Sequence, residues 1–167
     1  IHGRGPLSDL LAGALRCSGA RVTHSSQTNA APETTDLVVL SDFLVADPRV
    51  VRELHTARVA HLPVRIRDGA GLIGPLVIPG VTSCLGCADL HRSDRDAAWP
   101  AVASQLRHTV GSADRATVLA TAALALNQVD RVIQAVRRGD DVVGTSAEPP
   151  PTLDTTLEFD VNAGAIV

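Results

Sequence analysis

Apolar residues recur along this chain with two periods, and the points where the period changes mark its elements. In PLSDLLAGALRCSGA, which begins at Pro6, the residues Leu7, Leu10, Leu11, Ala14 and Leu15 recur at helical spacing and predict an amphipathic helix. Residues 20–24, ARVTH, read as a short second strand, and the polar loop SSQTNAAPETT that follows has no helical periodicity. A crossover helix expected at that point is lost or reduced. Residues 36–42, DLVVLSD, hold four consecutive apolar residues between polar ends, the pattern of a buried parallel strand. Asp47 is placed to cap a helix with Pro48 at its first position, and PRVVRELHTAR then leads into a strand over residues 60–67. In RIRDGAGLIGPLVIPG a DGAG turn between two apolar strands predicts a β-hairpin, so the sheet turns antiparallel after its last parallel strand.

Beyond the hairpin, the pattern predicts a helical turn over residues 84–91, a short helix over 97–108 and a long one over 112–138, ended by Gly139. Between Ala116 and Leu126 the long helix is nearly apolar all round, which predicts burial on several sides. At about 1.5 Å per residue it reaches roughly 40 Å, so it is either kinked or meets another chain. The prolines of DDVVGTSAEPPP make a stiff connector, and TLDTTLEFDVNAGAIV alternates and turns at 162–164 as a closing hairpin. The expected architecture is α/β: a Rossmann-like sheet, mostly parallel with antiparallel hairpin additions, with helices on both faces. It forms a single domain over 1–167, with a Rossmann-like half at 1–67 and the hairpin, CxxC segment, long helix and C-terminal hairpin at 68–167.

Composition narrows this picture. With 45% hydrophobic and only 2% aromatic residues, the core must be filled by Val, Leu, Ile and Ala. Methionine is absent and the chain opens on IHGRG, so an excerpt from a longer protein is expected. A formal net charge of -3 gives no global field for nucleic acid, and no nucleic-acid partner is expected. The longest small and apolar run falls well short of the roughly 20 residues that a spanning helix needs, so no membrane partner is expected either. No secretory signal is visible, and three cysteines with two in a CxxC fit a reducing cytoplasm.

Two constellations carry candidate chemistry. Gly3 and Gly5 match the first two glycines of a dinucleotide turn, but Ser8 takes the third place and Pro6 removes one amide donor. His24 stands where an acidic residue would accept from a ribose hydroxyl. Ser41 and Asp42 end their strand at the carboxyl edge of the sheet, where Asp42 either holds magnesium beside a nucleotide, caps a helix or faces solvent. Gly3, Gly5 and Asp42 together are a weak, vestigial nucleotide site. In the second constellation Cys84, Cys87 and His91 fall on one helical face and offer three corners of a zinc tetrahedron. Cys17 is expected to be a small core hydrophobe. Three readings of the pair stay open: a structural zinc completed from outside the chain, two reduced thiols that pack, and a redox CxxC. DLHRSDRD reads as a solvated run with local Arg to Asp pairs, and Arg131, Arg137 and Arg138 as a solvated helix end. No catalytic residue is expected.

The order of elements, from GxG turn and helix through DLVVLSD, a helix, ARVAHLPVRIRDGAGLIGPLVIPG and CLGC to a long helix, resembles the ThiF/MoeB superfamily, the adenylating fold shared with ubiquitin-activating enzymes. GPLVIPGVTSCLGCADLHRSDRDAAWP looks closer still to the divergent ThiF-like proteins of thiazole/oxazole-modified peptide biosynthesis, cyclodehydratases or leader-peptide-binding proteins. The resemblance covers nearly the whole chain and implies a ThiF-type domain. In active relatives ATP is held by the glycine turn, by Arg, Asn and Lys residues after the second strand, and by an Asp ending the DLVV strand; Gly3, Gly5 and Asp42 match these. The loop SSQTNAAPETT has neither Lys nor Arg, and Phe43 follows Asp42. Adenylation needs several cations around the phosphates, so the resemblance implies a degenerate activating-enzyme fold, and no ATP is expected.

It also implies that Cys84 and Cys87 supply half of a zinc site whose other cysteine pair lies outside this chain, as does an N-terminal winged-helix peptide clamp. The partners implied are a precursor leader peptide, a YcaO-type cyclodehydratase and a second copy in a homodimer. The expected function is a non-catalytic cytoplasmic scaffold that helps present a leader peptide to the partner enzyme. The alternatives are an ATP-dependent adenylating enzyme with a reduced nucleotide site, and a plain structural zinc-binding module.

Overall fold

A computed structural model describes residues 1–27, 34–138, 150–161 and 165–166. Helix α1, Pro6–Cys17, starts on a proline that needs no donor in a first turn and buries Leu7, Leu11, Ala12 and Leu15. Strand β1, Leu37–Ser41, is buried on both faces, as its four apolar residues require. Its side chains alternate. Val39 joins Leu7, Leu11 and Leu15 in one cluster, while Val38 and Leu40 join Val50, Val51, Leu54 and Val59 in another. The second cluster comes from α2, Pro48–Thr56, where the Asp47 carboxylate accepts from the Arg49 N–H at 2.8 Å. Helices therefore lie on both faces of the sheet.

Strand β2, Ala60–Arg67, runs parallel to β1, with Leu37 opposite Ala60 and Ser41 opposite Val64. Strand β3, Ala70–Ile73, returns antiparallel through Asp68 and Gly69, whose φ values of 53° and 83° make the two-residue turn that matches strand twist. Helix α3, Leu85–Arg95, helix α4, Trp99–Leu106, and helix α5, Arg115–Arg138, follow. Strands β4, Leu157–Asp160, and β5, Ala165–Ile166, then complete a five-stranded sheet of order β1-β2-β3-β4-β5. Among the described residues no helix is long and apolar enough to cross a membrane.

Three expectations need correction. The sheet is not mostly parallel: only β1 and β2 pair that way, and the pairings of β2 with β3, β3 with β4 and β4 with β5 are antiparallel. A two-residue turn after β2 leaves no length for the crossover a parallel neighbour needs. Residues 20–24 form no strand; the ladder there shrinks to single parallel bridges of His2 with Ser25 and with Leu40. Helix α5 is buried along one stripe, through Thr117, Thr121, Ala122, Ala125, Val129 and Val132, while Ala116 and Ala123 are exposed and Leu119 is 50% exposed. Alanine adds little area on any side, so an alanine-rich circumference does not report burial.

Helix α5 lies against β3, at Gly71, where a Cβ would stand 1.9 Å from Thr121 Oγ1. It also packs on α1, so both halves of the chain share one core. The helix stop at Gly139, most of the proline connector and the turn at 162–164 lie outside the described residues.

Candidate functional site

The glycine turn, the end of β1 and the start of α1 meet around one carboxylate. Asp42 leaves β1 with a φ of 70° and is 1% exposed. It accepts hydrogen bonds from the Leu7 and Ser8 backbone N–H groups, both at 3.0 Å, and from the Ser8 hydroxyl. Because the Ser8 proton goes to the carboxylate, the Ser41 hydroxyl donates to Ser8 Oγ at 2.8 Å. The helix has Gly5 at its N-cap and no capping side chain of its own, so Asp42 serves as a cap supplied from a distant strand. A negative charge there is also favoured by the helix dipole.

Both glycines are required by closeness to this group: a Cβ on Gly3 would stand 2.2 Å from the Ser41 carbonyl oxygen, and one on Gly5 2.6 Å from Asp42 Oδ1. His24 Nε2 lies 3.1 Å from the Gly3 carbonyl, so its N–H holds the turn from outside. Gly3, Gly5 and Asp42, chosen from sequence as nucleotide candidates, are thus brought together, and the first-turn amides an anion would use already have an acceptor.

Cys84 is the N-cap of α3, and its Sγ accepts from the Cys87 N–H at 3.1 Å. The two sulfurs are 2.7 Å apart and both cysteines are free. Contact with Cys87 holds the Cys84 thiol below its ordinary range and raises that of Cys87, so Cys84 is the more acidic of the two. Two thiols are soft ligands of the kind a divalent metal takes, and at 2.7 Å these sulfurs would have to move apart to reach the roughly 3.8 Å between two corners of a zinc tetrahedron. Among the described residues no group of three His, Cys, Asp or Glu side chains could hold a metal, and His91 does not join the thiols. Cys17, expected in the core, is exposed because it ends α1 on the solvent side.

Helix α3 buries no residue, and Leu90 on it is 67% exposed. Its charged run forms one of the expected pairs, Asp89 with Arg92 at 2.8 Å, and the Arg92 guanidinium lies 5.2 Å from the centre of the Trp99 ring. Sequence reasoning passed over the neighbouring Arg65 and Arg67. They alternate with the core residues Val64 and Ile66 and so face the other side of β2. The signal was present in the alternation of VRIR. Arg65 is pushed down to about 10, by burial first and then by the like charges of Arg67 and Arg92, against the pull of Asp89. A cavity of about 600 Å³ opens elsewhere, along the outer edge of β1, between Leu15, Val39, Leu54 and Val132. None of the candidate residues lines it.

No protein-family model matches this sequence, and no curated protein does either. Among solved structures, a heterocyclase in complex with substrate and cofactor matches with a TM-score of 0.69 at 18% identity, over 100% of this chain and 22% of that one. The heterocyclase TruD matches with a TM-score of 0.67 at 20% identity, over 99% of this chain and 24% of its own. The fold is similar to that of one part of each heterocyclase. E. coli MccB in complex with MccA is similar as well, with a TM-score of 0.55 at 18% identity, over 92% of this chain and 44% of MccB. This chain therefore spans under a quarter of either heterocyclase. The likeness to the two heterocyclases is one of fold and runs over 100% and 99% of this chain.

Proposed function

We propose that this chain is a non-catalytic ThiF-like scaffold that helps present a precursor peptide, through its leader, to a partner cyclodehydratase of the YcaO type. The observation that carries this reading is the Asp42 carboxylate bound to the Leu7 and Ser8 amides. It fills the place where a Rossmann-like turn receives phosphate, and it is unavailable there as a magnesium ligand. Without lysine or arginine in SSQTNAAPETT, adenylation also lacks the positive charge that phosphoryl chemistry draws on. Likeness to heterocyclases, one of them with bound substrate, and to MccB with MccA supports peptide modification as the setting.

In this reading Cys84 and Cys87 hold two corners of a structural zinc, and its other ligands come from beyond the described residues. Bound there, the metal would withdraw protons from both thiols and fix the start of α3. Two copies of the chain associate as a homodimer in the cytoplasm.

Calorimetry with ATP and magnesium tests the proposal on the full chain. No heat of binding is expected. Micromolar binding, together with pyrophosphate exchange when a precursor peptide is added, would establish an ATP-dependent adenylating enzyme instead.

A further inference from the structure

All three cysteines of this chain are free, and two of them meet. Cys84 and Cys87 bring their sulfurs to 2.7 Å, while Cys17 stands exposed at the end of α1. A disulfide bond is about 2.05 Å long, and two corners of a zinc tetrahedron are roughly 3.8 Å apart. The pair is therefore about 0.7 Å from bonding distance and about 1.1 Å from the metal spacing. Closing is the shorter move.

The surroundings leave that move free. Cys84 is the N-cap of α3, with φ -92° and ψ 155°, so its backbone lies outside the helix while its sulfur reaches back to the Cys87 N–H at 3.1 Å. Gly86 carries no side chain, and a Cβ there would lie 3.8 Å from Cys84 Sγ, so that side of the sulfur is open. Helix α3 buries no residue, so its first turn can shift without disturbing the core. Cys87 is exposed and Cys84 partly so, which lets a reagent in solution reach them. Among the described residues no His, Asp or Glu joins the two sulfurs as a third metal ligand.

We propose that Cys84 and Cys87 form a reversible redox site, oxidised to an intramolecular disulfide by low-molecular-weight disulfides of the glutathione class. One sulfur of the pair attacks the reagent, the reagent's S–S bond breaks, and its first half leaves as a thiol. The other sulfur then attacks the mixed disulfide and displaces the second half. Two electrons and two protons pass from the pair to the reagent, which ends as two thiols. Closure itself is independent of the zinc reading. Its consequence rests on that reading, because sulfurs bonded to each other no longer bind a metal as thiolates.

The test uses the whole chain, reduced and stripped of metal by a chelator, then equilibrated with glutathione at rising ratios of oxidised to reduced form. Free thiols are trapped and the peptides weighed. The peptide holding Cys84 and Cys87 is expected to become two hydrogens lighter and to carry no glutathione, whereas Cys17, with no neighbour to resolve it, keeps the adduct. At about 1 mM glutathione the pair should close at a ratio about tenfold or more below the one that half-loads Cys17, since its second thiol is already in place. Cys84→Ser and Cys87→Ser should each leave the remaining thiol of the pair carrying glutathione, as Cys17 does, and excess reduced glutathione should reopen the parent disulfide. A pair that stays reduced, keeps glutathione in the parent chain, or closes no more readily than Cys17 loads overturns the proposal. Metal analysis separates the two readings: zinc held by the reduced chain and lost on oxidation is expected. A reduced chain without zinc counts against the zinc reading alone, and zinc kept by the oxidised chain overturns the consequence drawn from closure.

Discussion

Replacing Asp42 with alanine removes the acceptor for two backbone amides and one hydroxyl at the start of α1. Loss of a capping side chain alone costs about 1 kcal/mol. Here the amides lie in a buried place, where Asp42 itself is 1% exposed, and each buried donor left unsatisfied adds about 1–3 kcal/mol. The φ of 70° adds roughly 1 kcal/mol more, because alanine lacks the local hydrogen bonding that lets aspartate visit the left-handed region. These losses overlap, since water and small shifts of the turn relieve part of them, and a net destabilisation of about 3–4 kcal/mol is expected. For a chain of this size that lowers the melting temperature by roughly 10 °C.

Urea unfolding followed by circular dichroism at neutral pH measures the change, with Ser8→Ala as a milder companion at about 1 kcal/mol. Asp42→Ala with unchanged or increased stability would refute the capping role and return Asp42 to the standing of a residue kept for a ligand. In that case magnesium ATP should raise the melting temperature of the parent chain but not of the variant.

Three further outcomes are expected. His61 is fully buried, and its Nδ1–H donates to the Val59 carbonyl at 3.0 Å while Nε2 has no partner among the described residues, so burial lowers its pKa below 6.5. Below 6.5 the unfolded chain takes up a proton that the folded one resists, so stability falls as pH drops from 6.5 toward the folded value, and urea midpoints in His61→Leu should fall less steeply. Burial lowers the pKa of His2 in the same sense, so some slope remains in that variant. Iodoacetamide at mildly alkaline pH, read by peptide mass, should label Cys84 ahead of Cys87, and Cys84→Ser should speed labelling of Cys87; preference for Cys87 in the parent chain contradicts that order of acidity. Gly71→Ala drives a methyl into Thr121 and should cost about 1–3 kcal/mol in urea unfolding, with Thr121→Ala in the same chain restoring part of it; strictly additive losses would show that α5 does not press on β3 there.

The elements of this protein were legible in its sequence because their causes lie within a few residues. Pro6 and Pro48 start helices, Asp47 caps its own, four apolar residues make β1, and Asp68 with Gly69 turns β2 back on itself. The spacing of Cys84 and Cys87 likewise places two sulfurs together whatever surrounds them. Tertiary structure alone decided what those elements do to one another. No periodicity links Asp42 to the amides of Leu7 and Ser8, 35 and 34 residues away, yet that contact caps the helix that follows the glycine turn. Arg92 met the Trp99 ring only when α3 and α4 folded against one another. The single buried stripe of α5 likewise follows from its having a sheet on one side, which its own alanines do not record.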